Sequence, residues 1–145
     1  MDKNLELLTH IYQDIDMALD SLTMLSKKLD KKDNKIKEVI EKTIKGYEKH
    51  LKIVKHYMKE NNYNIESKPL ISKLGAFMGI KMEVIKDNSD SRMADMLIQG
   101  LTMGVLSITK NIDKYKKEVE KDILLIAKNY KKHQEESIEK LKLYL

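Results

Sequence analysis

The 145-residue chain contains no cysteine, no tryptophan, one proline and five glycines. The lack of cysteine excludes disulfides, thiolate metal sites and cysteine nucleophiles. The scarcity of proline and glycine leaves few helix breakers and therefore favours long helices. The chain also has no Gly-x-Ser-x-Gly turn and no glycine-rich phosphate loop, so neither a serine hydrolase nor a nucleotide-binding enzyme is expected.

Long hydrophobic runs are missing as well. The most apolar stretch, residues 93–108, contains Asp95 and Gln99 and is shorter than the ~20 residues that cross a membrane. The first residues are amphipathic and acidic, which is not the pattern of a signal peptide. With 41% apolar residues, the sequence predicts one cytoplasmic domain over residues 1–145, without membrane contact.

The charge is balanced rather than strongly basic. Twenty-eight basic residues face 23 acidic ones, for a net charge of +5, and Arg92 is the single arginine. Readout of phosphates and bases favours the planar arginine side chain, whereas lysine interleaved with glutamate is typical of solvated helix faces. Nucleic-acid binding is therefore not expected. A lysine-rich binder of nucleic acid or of another anionic surface is kept as the second alternative function.

Apolar residues recur three and four positions apart along most of the chain, which predicts amphipathic helices. The pattern places helices over residues 5–30, 34–61, 90–111 and 117–144. Asp33 or Asn34 is predicted to cap the second helix. No glycine or proline marks the last turn, which is placed at residues 113–117.

The middle of the chain differs from the rest. Residues 70–85 predict a short apolar helix that carries Gly75 and Gly79, four positions apart. Gly100 and Gly104 repeat that spacing in the third long helix, where glycine costs about 1 kcal/mol relative to alanine and indicates close helix packing. The fold class is therefore all-α: a four-helix bundle with a long crossover, carrying a short helix, between helices 2 and 3.

Residues 72–110 resemble the most characteristic stretch of an uncharacterised bacterial branch of the ferritin-like superfamily. The branch pattern is roughly SKMxGIxM in a short helix, then AEMxIQGxTMGIxDxTK in a long one. The matching positions are Gly79–Met82, Met96, Ile98–Gly100, Thr102–Gly104 and Thr109–Lys110. The resemblance implies a ferritin-like four-helix bundle and carries no activity with it.

Three departures from that pattern bear on metal binding. Asp95 stands where the branch usually has Glu, Arg92 where His is common, and Ser107 where Asp is common. A dinuclear carboxylate centre also needs Glu-x-x-His on two helices, because residues three apart on one face reach the same metal pair. This chain contains no Glu-x-x-His, so a dinuclear centre is not expected.

The remaining polar residues give weaker candidates. Asp95, Gln99 and Gln134 are predicted to face the bundle axis, either as a degenerate metal or small-ligand pocket or as a polar layer that fixes helix register. His10 with Asp14 borders the core of the first helix. His56 with Glu60 is interpreted as a surface pair, whereas Glu41 and Glu48 border the apolar face of the second helix. Nine methionines are interpreted as core packing rather than a copper(I) site.

No metal and no cofactor is expected on these grounds. If a metal is bound, iron, manganese or zinc is the alternative, and the candidate ligands are Asp14, Glu48, Asp95, Gln99, Gln134 and His10. The main hypothesis is a non-catalytic or vestigial ferritin-like bundle that acts by protein interaction or assembly, as a homodimer or a larger assembly. The first alternative is a metal-binding ferritin-like protein, a store or an oxidoreductase, with an atypical ligand set.

Overall fold

The computed structural model describes residues 2–63 and 88–145, and these form four α-helices. They are α1 (Lys3–Lys28), α2 (Lys37–Glu60), α3 (Asp90–Tyr115) and α4 (Lys121–Lys142). No strand occurs within these two ranges, which confirms the prediction of an all-α protein with four helices. Among the helices described, none has the length and apolarity that a membrane span requires.

Each helix buries one face in a common core. The apolar residues that recur three and four positions apart in α1 and at its C-cap are all buried: Leu8, Ile11, Ile15, Ala18, Leu22, Leu25 and Leu29. Helix α1 packs mainly against α2, and α3 mainly against α4, while contacts of α2 with α4 join the two pairs. Each fully buried aliphatic side chain contributes about 1.5–3 kcal/mol, so burial of these faces is the main favourable term that holds the helices together.

Hydrogen bonds fix which helix ends lie together at the first end of the bundle. The hydroxyl of Tyr63, just after α2, donates to Asp2 Oδ2 over 2.7 Å. The backbone N–H of Glu120, just before α4, donates to Asn4 Oδ1 over 3.0 Å. The start of α1, the end of α2 and the start of α4 therefore meet at this end.

The starts of α2 and α3 meet at the opposite end. Asn34 Nδ2 donates to the carbonyl of Asn88 over 2.7 Å and to Asp90 Oδ1 over 2.9 Å. Since both helices begin at this end, α2 and α3 run parallel to each other and antiparallel to α1 and α4.

The same contacts correct the predicted cap of α2. Neither Asp33 nor Asn34 caps this helix, whose N-cap residue Ile36 makes no capping bond with its side chain. Instead, the Asp90 carboxylate on α3 accepts from the backbone N–H groups of Lys35 and Ile36, at 3.2 and 3.4 Å. A carboxylate from a neighbouring helix thus satisfies donors that usually need a local side chain.

The boundary between α3 and α4 also differs from the prediction. Helix α3 continues to Tyr115, and α4 begins at Lys121, so the turn covers residues 116–120 rather than 113–117. Tyr115 is buried two turns beyond Ile108 and extends the apolar face of α3 past the predicted end. The other helix ends lie within three residues of the predicted ones.

Two glycines of α3 and an asparagine after α2 lie within the described residues. Gly100 and Gly104 are buried in α3. Asn62, after α2, has a positive φ of 56°, in the left-handed region that asparagine tolerates at helix ends. The predicted short helix at residues 70–85, with Gly75 and Gly79, lies outside the described residues.

Candidate functional site: a tyrosine and histidine cluster between α2 and α4

Two Tyr-x-x-His pairs meet inside the bundle, one from α2 and one from α4. Tyr47 and His50 lie three residues apart on α2, and Tyr130 and His133 lie three apart on α4, so each pair projects from one helix face. Gln134 follows on α4 and is fully buried, as are both tyrosines. We call Tyr47, His50, Tyr130, His133 and Gln134 the Tyr/His cluster.

The four rings of the cluster pack against each other across the two helices. The Tyr47 ring meets the His133 ring edge-on, with centroids 5.0 Å apart, and the His50 and Tyr130 rings pack similarly at 6.0 Å. The two imidazole centroids are 5.3 Å apart, and their planes differ by 36°. The two tyrosine rings are 6.0 Å apart. All four side chains therefore share one layer of the bundle.

Gly46 on α2 leaves space for the His133 ring. A Cβ atom on Gly46 would lie 2.6 Å from both nitrogens of the His133 ring, and closer still to its Cε1. Glycine at this position therefore lets the imidazole lie directly on the helix backbone. The backbone of Thr43 also interacts with the imidazole and partly offsets the lowering of the His133 pKa by burial.

Hydrogen bonding within the cluster is incomplete. Tyr47 Oη donates to Gln134 Oε1 over 3.1 Å. Four other buried polar atoms of the cluster have no partner among the residues described. They are His50 Nδ1, Tyr130 Oη, His133 Nε2 and Gln134 Nε2. Since an unsatisfied buried polar atom costs about 1–3 kcal/mol, such atoms are usually few and often mark a bound group.

Burial keeps all the titratable groups of the cluster neutral at pH 7. Desolvation lowers the pKa of His50 from 6.5 to about 4, with further repulsion from His133 and Lys49. Desolvation also lowers the pKa of His133, against the effect of its bond to Thr43. The pKa values of Tyr47 and Tyr130 are raised well above 10, mainly by burial. Neutral imidazole is the form that binds metal ions.

Asp14 on α1 is the carboxylate that acts on this layer. It is partly buried, and its charge contributes to the raised pKa of both Tyr47 and Tyr130. Ser107 Oγ on α3 donates to Asp14 Oδ2 over 3.4 Å. Ser107 therefore lies beside a candidate ligand and contributes a neutral hydroxyl there.

Of the three side chains predicted to face the bundle axis, only Gln134 does so. The side chain of Asp95 is 48% exposed and pairs with Arg92 Nη1 at 3.1 Å. Gln99 is exposed and donates to Asp95 Oδ1 at 3.1 Å. The axial placement of Asp95 and Gln99 is wrong because Met93 and Leu97 form the buried face of α3. Asp95 lies two residues, or about 200° around the helix, from each of them.

The other predicted candidates do not join the cluster. His10 is exposed, and its Nε2 lies 3.5 Å from the Tyr115 hydroxyl. Glu48 is exposed on α2. His56 and Glu60 form a surface pair at 3.1 Å, as interpreted from the sequence, with the His56 side chain 72% exposed. Met93 and Met96 are buried in the core.

The four ring residues of the cluster were not among the sequence candidates, although a signal was present. Neither pair matches the Glu-x-x-His pattern of dinuclear centres, and both tyrosines fall on the apolar faces of their helices. The same i, i+3 spacing, with tyrosine in the first position, occurs on helices 2 and 4. This repeated Tyr-x-x-His spacing is the signal that the sequence contains.

Outside the Tyr/His cluster, the surface and the potential metal ligands of the described residues indicate little further function. Lysines on the helix surfaces pair with acids three or four positions away, as at Lys42–Glu38, Lys132–Glu136 and Lys142–Glu139. This arrangement fits a solvated helix surface. Within residues 2–63 and 88–145, no group of three or more His, Cys, Asp and Glu side chains is placed to hold a metal ion. Metal binding here would need the tyrosines.

Comparisons with known proteins do not assign the chain to a family. No family model matches it, and no curated protein or solved structure is significantly similar to it. Function must therefore be inferred from the side chains of the bundle interior and from its surface.

Proposed function

We propose that the protein is a ferritin-like four-helix bundle without a dinuclear carboxylate centre, which acts by assembly rather than by catalysis. One observation carries the proposal: Tyr47 and Tyr130 stand three residues before the inward histidines of α2 and α4. In a dinuclear carboxylate bundle those positions, spaced as Glu-x-x-His, supply the carboxylates that hold both ions.

The direction of the helices supports the ferritin-like part of the proposal. Helices α2 and α3 are parallel, with Asn34 bonded to Asp90 where both begin. Because α2 ends and α3 begins at opposite ends of the bundle, the connection between these two parallel helices has to span its length. Ferritin-like bundles have one long crossover of this kind. The resemblance of residues 72–110 to the ferritin-like branch points in the same direction.

The chemistry of the replaced side chains supports the absence of two ions. A carboxylate has two oxygens and a negative charge, and it can bridge two cations. A buried tyrosine offers one oxygen, and burial favours its neutral form. Ser107 beside Asp14 is also neutral. The interior thus offers too little negative charge to compensate two desolvated divalent ions.

The first test is loading with iron(II) or manganese(II). The full chain, incubated with an excess of either ion in air and then desalted, should retain fewer than two ions per chain. It should also show no oxygen consumption above that of the buffer. Retention of two ions with oxygen consumption would refute the proposal and favour the oxidoreductase alternative.

A gain-of-function variant tests the placement of the site. Replacing both tyrosines (Tyr47→Glu with Tyr130→Glu) creates two Glu-x-x-His pairs and should increase iron(II) and manganese(II) retention to two ions. Ile53→Glu with Leu125→Glu is the matched control, because it adds the same charge at exposed positions of the same helices. Equal retention by both variants would show that the cluster does not occupy ligand positions.

The assembly part of the proposal rests on exposed apolar side chains of α3. Met103 and Leu106 lie three residues apart on one face and are each 56% exposed. Exposed apolar pairs of this kind often mark contact surfaces between proteins. Light scattering coupled to gel filtration should give a homodimer for the unmodified chain and a monomer for Met103→Lys with Leu106→Lys. The control is Ile53→Lys, on α2. A monomeric unmodified chain would contradict this part.

A further inference from the structure

The unpartnered polar atoms of the protein are concentrated in one place. Five buried side-chain nitrogen or oxygen atoms lack a hydrogen-bond partner in the described part of the chain, and four of them belong to the Tyr/His cluster. The fifth is Ser21 Oγ. Tyr130 and Gln134 are 0% exposed, so bulk water does not satisfy them. A bound group that accepts contacts from several of these atoms would offset their desolvation.

The spacing of the two imidazoles fits one shared ion. With nitrogen-to-zinc distances of ~2.0–2.1 Å, each ring centroid lies about 3.2 Å from a tetrahedral ion, and two such centroids are about 5.2 Å apart. The observed distance between the His50 and His133 centroids is 5.3 Å. The nitrogens without partners are His50 Nδ1 and His133 Nε2, one from each ring.

His133 is also held in the way that metal-binding histidines usually are. Such a histidine ordinarily donates its second ring N–H to a carbonyl or carboxylate, which fixes the tautomer and leaves the other nitrogen for the ion. The imidazole of His133 is bonded to the backbone of Thr43, and its Nε2 remains without a partner in the described residues. Gly46 leaves the space that this orientation requires.

The two tyrosines differ in what they can offer an ion. Tyr47 Oη already donates to Gln134. Tyr130 Oη has no partner among the described residues, and the ring of Tyr130 packs against His50. Tyr130 is therefore the oxygen of the cluster that is available as a third ligand.

We propose that the Tyr/His cluster binds one divalent transition-metal ion through His50 Nδ1, His133 Nε2 and Tyr130 Oη, and that the phenol proton of Tyr130 is released to solvent when the ion binds. Two imidazoles with one oxygen favour ions of borderline softness, such as zinc, over magnesium or calcium. Water or a small anion completes four-coordination, as in other three-ligand sites. The ion is single because the 5.3 Å separation of the two imidazole centroids matches two rings bound to the same ion. This site goes beyond the proposed assembly function and does not depend on it.

Calorimetric titration of the metal-free full chain with zinc sulfate tests the stoichiometry and the ligands. We expect one zinc ion per chain. His50→Gln and His133→Gln should each weaken binding by more than about 100-fold, the upper end of the effect of losing a group that only orients a ligand. His56→Gln is the matched control, since His56 is an exposed histidine on the same helix as His50. It should leave the affinity unchanged.

Some results would overturn the proposal directly. Unchanged affinity in both His50→Gln and His133→Gln, or an equal loss in His56→Gln, would assign the zinc to surface histidines. An unmodified chain that binds no zinc would leave ordered water as the partner of the cluster. Two zinc ions lost together from the cluster variants would refute the single site.

A second measurement does not depend on the folding of the histidine variants. Cobalt(II) bound by the unmodified chain should give the intense visible bands of a tetrahedral ion. Tyr130→Phe should shift or abolish these bands, whereas Tyr47→Phe, which removes the hydroxyl already bonded to Gln134, should preserve them. A weak octahedral spectrum, or equal effects of the two substitutions, would overturn the assignment of Tyr130.

Discussion

The contact between Gly46 and His133 gives the sharpest test of how α2 and α4 pack. Gly46→Ala places a Cβ atom 2.6 Å from both nitrogens of the imidazole, far inside van der Waals contact. The His133 side chain has to rotate, or the two helices have to move apart. Either movement disturbs the hydrogen bond to the backbone of Thr43.

Two opposing effects set the size of the change in stability. Alanine in a helix interior is favoured over glycine by about 1 kcal/mol. Overpacking costs about 1–3 kcal/mol, and the disturbed hydrogen bond adds about 1 kcal/mol. The steric effect is larger, so Gly46→Ala should lower the free energy of unfolding by about 1–3 kcal/mol. Urea denaturation followed by far-ultraviolet circular dichroism measures this difference.

The sign of the change should reverse once the imidazole is removed. In a His133→Ala background, Gly46→Ala keeps its helix-forming advantage and meets no ring, so it should stabilise the protein by about 0.5–1 kcal/mol. If Gly46→Ala stabilises the unmodified protein as well, His133 does not lie on the α2 backbone and the described packing is incorrect.

Three further predictions concern the cluster, the α3 glycines and the second end of the bundle. Because the pKa of His50 is about 4 when folded and 6.5 when unfolded, the unfolded chain binds the proton first. Stability should therefore fall by about 1–2 kcal/mol between pH 6.5 and pH 4, allowing for partial exposure, and His50→Gln should reduce this fall. Gly100→Leu or Gly104→Leu should lower stability by about 1–3 kcal/mol through overpacking, whereas Thr102→Leu, at an exposed position, should not. Asp90→Ala should cost about 1–2 kcal/mol by removing the acceptor that caps α2, against less than about 0.5 kcal/mol for the exposed Asp113→Ala. Thermal or urea denaturation of each pair of variants decides between these outcomes.

The four helices could be predicted from the sequence because their apolar faces are continuous. In α1, residues from Leu8 to Leu29 repeat at three and four positions, and only one helix rotation buries them all. The end of α3 could not be predicted in this way. Tyr115 is a tyrosine among lysines, and its burial depends on packing across the end of the bundle rather than on local pattern.

The orientation of α3 about its own axis explains why Asp95 and Gln99 lie towards the surface, whereas Gln134 on α4 lies in the core. Apolar residues surround Asp95 and Gln99 on both sides in the sequence, so hydropathy alone does not show which face of α3 is buried. The buried glycines and Ile108 select the face opposite Asp95. For Gln134 the sequence already indicates the buried face, because this residue lies between Tyr130 and Ser137 on the apolar face of α4. All three residues are buried.

The Tyr/His cluster could be found from spacing but not from residue type alone. Tyr47 and Tyr130, like His50 and His133, are 83 positions apart in the sequence (130 − 47 and 133 − 50). Because the two helices are antiparallel, Tyr47 faces His133 and His50 faces Tyr130 in one layer, as the ring contacts show. What the sequence could not supply is the depth of burial that makes these residues a site rather than part of a surface.

The same correspondence identifies where the symmetry between α2 and α4 is broken. Gln134 follows His133, whereas Leu51 follows His50 at the matching position of α2. Tyr47 consequently has an amide to bond, and Tyr130 has none among the described residues. This difference accounts for a single available phenol oxygen in a cluster that contains two tyrosines.

Giving Tyr130 an amide partner, as Gln134 is for Tyr47, should therefore make the two tyrosines equivalent in their hydrogen bonding. Leu51→Gln places an amide where it can accept from Tyr130 Oη, as Gln134 accepts from Tyr47. We expect stability to rise by up to about 1 kcal/mol, the net value of one hydrogen bond. Zinc affinity should fall because Tyr130 is no longer available. Leu51→Met, of similar volume and without an amide, is the control and should change neither quantity appreciably. Unchanged zinc binding in Leu51→Gln would mean that Tyr130 is not a ligand, even if both histidines are.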